Sequence, residues 1–120
     1  MVLDRLLENG IKMVLASDAD AEIMEQELVK YDLNKYFIGK CISSSVRAYK
    51  PTLGFIKHLK KYIDIRENCY FVGDSNVDVE SAKGLGIKSV LVDRAGEKSH
   101  IKADYRVRDL KELLPILNVE

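Results

Sequence analysis

The sequence predicts an α/β fold, a parallel sheet with helices on both faces, and three observations carry that expectation. Short apolar runs that read as strands alternate with amphipathic stretches of about ten residues, the pattern of βαβ units. The run Ile11–Ala16 (IKMVLA) is nearly continuous in apolar character, as suits a strand covered on both faces of a parallel sheet. Tyr70–Val72 is followed at once by Gly73 and Asp74, with Asp78 four residues further on as a helical pattern begins. Open α/β sheets bind ligands at such strand-to-helix corners.

The elements follow in order. Residues 1–9 carry Val2, Leu3, Leu6 and Leu7 on one helical face, and Asn9–Gly10 breaks that helix. The strand Ile11–Ala16 closes at Ser17–Asp18, and Asp18 or Asp20 can cap a helix over Ala21–Tyr31 with Ile23, Met24, Leu28 and Tyr31 at helical spacing. Leu33–Ile38 reads as an irregular connection ending at Gly39, Cys41–Ser43 as a short strand, and Ser43–Ser45 as the start of a loop. Lys50–Pro51 opens a helix, with proline in the first turn where its missing N–H costs nothing, and Phe55, Ile56, Leu59 and Tyr62 form its buried stripe. A strand at 70–72, a helix to about Leu85, a strand Ser89–Val92, a short strand near 105–107 and a helix of at most Leu110–Leu117 complete the chain.

Composition narrows the function classes. The 120 residues fit one domain. Nineteen basic residues balance nineteen acidic ones, so no net field favours nucleic acid or a membrane surface. No apolar run approaches the roughly 20 residues of a membrane span, and no signal peptide is visible at the N-terminus. Cys41 and Cys69 make neither a metal-spacing motif nor a disulfide framework, which fits reduced thiols in the cytoplasm. His58 and His100 have no partner pattern.

Three segments in this order resemble the haloacid dehalogenase superfamily of phosphohydrolases. VLASDAD (Val14–Asp20), with Ser17 closing the apolar run, is similar to the family's second motif, an apolar strand ending in Ser or Thr. SSSVRAYKP, with Lys50, is similar to the third, whose lysine holds the phosphoryl group. FVGDSNVDVESAKGLG is similar to the fourth, whose acidic residues position magnesium; VLVDRAG then follows the last long helix as expected. The resemblance runs from about Val2 to Leu113. It implies a three-layer Rossmann-like sheet, a Mg2+ cofactor and a small phosphorylated substrate.

The family's first motif, DxDx[TV] after an N-terminal strand, supplies the nucleophilic aspartate, and it is absent from these 120 residues. In family terms residues 1–120 are a partial core domain without the cap, truncated by loss of the central first strand. Asp18–Ala19–Asp20 has the DxD spacing, but helix-forming residues follow it immediately, and strand end plus helix cap is the preferred reading.

The resemblance assigns roles. Asp74 would bind magnesium directly, and Asp78 through water or by orienting Asp74; Mg2+ takes six oxygen ligands and usually keeps several waters. Locally, Asp74 and Ser75 serve equally well as caps of the following helix. Lys50 would place an ammonium over a phosphate, an otherwise unfavourable charge at a helix start. Ser17 and Asp18 would contact phosphate oxygens, with a plain cap at Ser17 as the alternative; Ser75 would line the site.

With the central strand missing, three arrangements are open. Its neighbours close on each other, a second chain supplies the strand with its DxD motif, or two copies pair exposed edges. The function expected is a Mg-dependent phosphatase that needs a separate or upstream part carrying the nucleophile. The alternative is a non-catalytic phosphate- or Mg-binding or regulatory module. A response-regulator receiver is rejected, because there the lysine follows the phosphorylated aspartate, whereas Lys50 precedes Asp74.

Overall fold

The computed structural model describes residues 2–18, 20–42, 53–64 and 68–119. The expected loop at Ser43–Ser45 and the helix start at Lys50–Pro51 lie outside the described residues. The chain divides into two compact units, residues 3–62 and residues 63–120.

In the first unit, α1 (Val2–Glu8) buries Leu6, and Asp4 on that helix accepts a hydrogen bond from the Tyr36 hydroxyl. β1 (Met13–Ser17) follows, then α2 (Ala21–Lys30). Of the two possible caps it is Asp20 that acts: its Oδ1 accepts from the backbone N–H of Glu22 at 3.0 Å and Ile23 at 3.4 Å. Only part of the expected apolar face of α2 is inside. Leu28 is buried, while Ile23 and Tyr31 are 56% and 60% exposed.

The connection expected to be irregular is ordered. Asn34–Tyr36 forms a 3-10 turn, and β2 runs from Phe37 to Ile42, four residues earlier than the sequence suggests. Its parallel ladder with β1 runs from Met13 opposite Phe37 to Ser17 opposite Ile42. Gly39 therefore lies inside the strand instead of ending it. The reason is close approach: a Cβ there would sit 2.4 Å from Cε1 of the Tyr62 ring. α3 (Leu53–Leu59) buries Phe55, Ile56 and Leu59 as expected. Tyr62 lies beyond the helix, over Gly39, and is 41% exposed, so it is not part of the buried stripe.

The second unit holds a three-stranded parallel ladder in the order β3 (Tyr70–Gly73), β4 (Lys88–Val92), β5 (Tyr105–Val107). α4 (Asn76–Leu85) connects β3 to β4, ends at Gly86 in the left-handed region, and buries Val79, Ala82 and Leu85. Side chains of β4 alternate between two cores. Val90 and Val92 pack with Val107 and Leu113, and Leu91 packs with Val79 and Ile101. That strand is covered on both faces, as a parallel sheet requires. β1, of which the same was expected, is only half-buried along its whole length.

The terminal helical stretch stays within the expected limit of Leu110–Leu117. Leu110–Glu112 is a 3-10 turn and α5 spans only Leu113–Ile116. Pro115 has no N–H to donate back along the segment, which limits the helical run. Asp109 caps the turn by accepting from Lys111 N–H at 2.8 Å, and Glu112 reaches back to Asp109 N–H at 2.9 Å. Among the described residues no helix is long and apolar enough to cross a membrane.

Candidate functional site

Strand β3 ends at Gly73, and the chain turns through Asp74 and Ser75 into α4. The turn is organised by Asp78, on the first turn of that helix. Its carboxylate is 6% exposed, so it must be satisfied by donors. One oxygen, Oδ2, accepts from Asp74 N–H at 3.0 Å, Ser75 N–H at 3.2 Å and Ser75 Oγ–H at 3.1 Å. These bonds satisfy N–H groups of the corner that the helix leaves without internal partners. They also explain Gly73: a Cβ there would lie 2.2 Å from Asp78 Cγ and Oδ2, so only glycine lets the carboxylate tuck against the strand end.

Asp74 is the opposite case. It is exposed, and among the described residues its carboxylate accepts no hydrogen bond. Its backbone is held from both directions, the N–H by Asp78 and the carbonyl by the Lys98 ammonium. The two acids expected to act as a pair thus have different jobs in the turn, one buried and structural, the other outward-facing.

A third acidic residue stands at the same carboxyl edge. β4 is parallel to β3, with Gly73 opposite Leu91, so Asp93 just beyond β4 is at the strand end next to that of β3. Asp93 is buried. It accepts from Glu97 N–H, Lys98 N–H and Arg106 Nη1, each at 3.0 Å. Burial pushes this carboxyl up, but the two N–H groups and the guanidinium outweigh burial and hold it below the usual aspartate range. Arg106 also donates to the carbonyls of Lys98 and Ile101. The loop between β4 and β5 is thereby fixed, with the Lys98 side chain directed to the corner.

Ser17 and Asp18 belong to the first unit: Ser17 is the last residue of β1, half-buried and opposite Ile42, and Asp18 is exposed. Asp74, Ser75 and Asp78 belong to the second unit and come together there. Lys50 lies outside the described residues. Sequence reasoning passed over Asp93, Lys98 and Arg106. The available signal was the acid directly after the apolar strand in VLVDRAG, the same strand-then-acid arrangement as in FVGDS.

The donor chemistry of the corner suits a hard cation, because exposed carboxylate oxygen is what Mg2+ prefers. The described residues form no group of three or more His, Cys, Asp or Glu side chains able to hold a metal. At the corner, Asp74 is the carboxylate left open to solvent as an oxygen donor for such a cation.

A family model for haloacid dehalogenase-like hydrolases matches residues 1–92. The chain belongs to that family. PpaX from Caldanaerobacter subterraneus subsp. tengcongensis, which carries the name of a pyrophosphatase, is 31% identical over 97% of this chain and 55% of its own length. A haloacid dehalogenase phosphatase from Thermococcus onnurineus superposes with a TM-score of 0.87 at 29% identity, over 99% of this chain and 56% of that one. The hydrolase YfnB from Bacillus subtilis, solved with bound magnesium, superposes with a TM-score of 0.83 at 18% identity, over 98% of this chain and 52% of that one; at that identity the likeness concerns the fold. The chain spans about half the length of these relatives. It carries a fragment of their Rossmann-like α/β fold, with parallel ladders and helices.

Proposed function

We propose that residues 1–120 are one portion of a Mg2+-dependent phosphohydrolase core acting on a small phosphorylated metabolite. The observation that carries this reading is the β3–α4 corner, where buried Asp78 fixes the backbone and leaves the Asp74 carboxylate exposed at the carboxyl end of a parallel strand. Asp74 would hold the cation, and Asp78 would keep the turn in shape. Ser17 and Asp18 at the end of β1, with Ser75 and Lys50, would bind the phosphoryl oxygens. Bound magnesium would neutralise phosphoryl charge and polarise the ester.

Hydrolysis by a covalent route needs an aspartate nucleophile. Asp20 caps α2 through two backbone N–H groups, which supports reading Asp18–Ala19–Asp20 as a strand end and cap. The nucleophile would then come from a segment outside residues 1–120, on the same chain or on a second, different one. The same observation favours one alternative, a phosphate- or Mg-binding regulatory module without catalysis.

Two measurements test the reading. Titration of Mg2+ into 15N-labelled chain is expected to shift the Asp74 and Ser75 amides, and Asp74→Asn to weaken binding by roughly tenfold. Unaltered binding in Asp74→Asn would remove the metal assignment. Hydrolysis of p-nitrophenyl phosphate by residues 1–120 alone is expected to be absent. Turnover abolished by Asp18→Asn would instead place the nucleophile at Asp18.

A further inference from the structure

The Asp74–Ser75 peptide group is gripped at both ends by charged side chains. Asp78 Oδ2 accepts its N–H from Ser75 at 3.2 Å, and the Lys98 ammonium donates to its carbonyl oxygen on Asp74. The anion lies on the hydrogen side and the cation on the oxygen side, so both align with the peptide dipole, and both hydrogen bonds are charge-assisted.

Lys98 is not an ordinary surface lysine that happens to fall nearby. Before its side chain begins, its backbone is fixed on both sides: its N–H donates to Asp93 Oδ2 at 3.0 Å, and its carbonyl accepts from Arg106 Nη1 at 2.9 Å. Asp93 and Arg106 are themselves paired at 3.0 Å, and the Asp93 carboxylate is buried. A lysine held by a single contact gives up most of its rotamer freedom on being ordered. Here the root of the side chain is already placed, and only the stem must be ordered.

We propose that Lys98 is a positioning residue for the β3–α4 corner, locking the Asp74–Ser75 peptide so that the Asp74 carboxylate is presented for a divalent cation. The metal part of this inference rests on the proposed function; the locking of the peptide does not.

The sign of the metal effect separates positioning from simple electrostatics. A lysine that merely sits near the corner repels a cation, so its removal tightens Mg2+ binding. A lysine that holds the ligand in place has the reverse effect. The experiment compares the wild-type chain with Lys98→Met, which keeps the apolar stem, and Lys98→Arg, which keeps a donor cation.

Amide exchange is read first without metal, at Asp74 and Ser75 against the interior of α4. Lys98→Met is expected to speed exchange of the two corner amides by about tenfold with α4 unchanged, and Lys98→Arg to restore most of the protection. Mg2+ alone is then titrated, and Lys98→Met is expected to bind it several-fold more weakly.

Corner exchange unchanged in Lys98→Met, failure of arginine to rescue, or tighter Mg2+ binding in Lys98→Met would each overturn the proposal. If the wild-type chain binds no Mg2+ at these amides, the metal reading falls and the exchange pattern alone decides the locking role.

Discussion

β1 and β4 are both five-residue strands, MVLAS and KSVLV, and nothing in their composition ranks one above the other. Yet Val90, Leu91 and Val92 of β4 are 1%, 0% and 8% exposed, whereas every residue of β1 is half-buried. The difference lies in their neighbours. β4 has a ladder partner on each side and an apolar cluster on each face. Among the described residues β1 pairs with β2 alone. A two-stranded ladder is marginal by itself, and an apolar run states that a strand can be covered without stating what covers it.

Core truncation gives the largest contrast. Leu91→Ala removes a fully buried side chain and is expected to cost about 3–4 kcal/mol in denaturant unfolding. Leu15→Ala, at a half-buried position of β1, is expected to cost about 1–2 kcal/mol. Equal losses would break the contrast and show that β1 is as well covered in solution as β4.

The two crowded glycines sharpen it at an intermediate scale. Gly73→Ala drives a methyl to 2.2 Å from Asp78 Cγ. That carboxylate holds three hydrogen bonds and cannot withdraw without releasing the corner. A loss of about 2 kcal/mol is expected, together with collapse of Asp74 and Ser75 amide protection. Gly39→Ala creates nearly as close a contact, 2.4 Å from Tyr62 Cε1, but against a ring that is 41% exposed and able to swing outward. It should cost less than about 1 kcal/mol. Similar losses at the two positions would mean that Tyr62 is held as firmly as Asp78.

How much of this was legible beforehand follows the same division. The strand ends at Ser17 and Gly73, the helix over 76–85 and the core role of Phe55, Ile56 and Leu59 were readable, because local periodicity and tertiary burial agree there. β2 starts four residues before the strand the sequence suggests, because Gly39 has the form of strand punctuation and only the Tyr62 ring lying over it explains a glycine inside the strand. Of the site, the Asp74–Asp78 spacing was legible, but the division of labour between the two acids was not. It depends on which carboxylate the turn buries. The Lys98 contact joins residues 24 positions apart and depends on the Asp93–Arg106 pair, which no spacing rule contains.

Titration yields the smallest effect and divides the units by sign. Among the described residues, the three carboxyls held below their ordinary range all lie in the second unit. Asp93 is lowered against its burial by Lys98 and Glu97 N–H and by Arg106, Asp104 chiefly by Ser89 N–H, and Glu112 chiefly by Asp109 N–H. A carboxyl with a depressed folded pKa stabilises the fold fully above its unfolded value near about 4, and that contribution fades as pH falls through the folded value. In the first unit the shifts run upward: Cys41 by its burial, Tyr36 by its hydrogen bond to Asp4, Lys35 by its hydrogen bond to Asp32. Those contributions are complete below the unfolded values, about 9 for the thiol and about 10 for the other two, and fade as pH rises through the folded ones. Acid below about pH 4 should therefore loosen the loop Arg94–Ile101 and the turn at Asp109–Glu112 first, and alkali above about pH 9 the Tyr36–Cys41 segment first. Residue-resolved NMR intensities across both limbs read this out. Asp93→Asn should flatten the acid response of the loop, and Tyr36→Phe the alkaline response at Asp4 and Tyr36, each with a shift in melting temperature of only a few degrees. Acid loosening that begins in the first unit would show that the Asp93 anchor does not set the stability of the loop that carries Lys98.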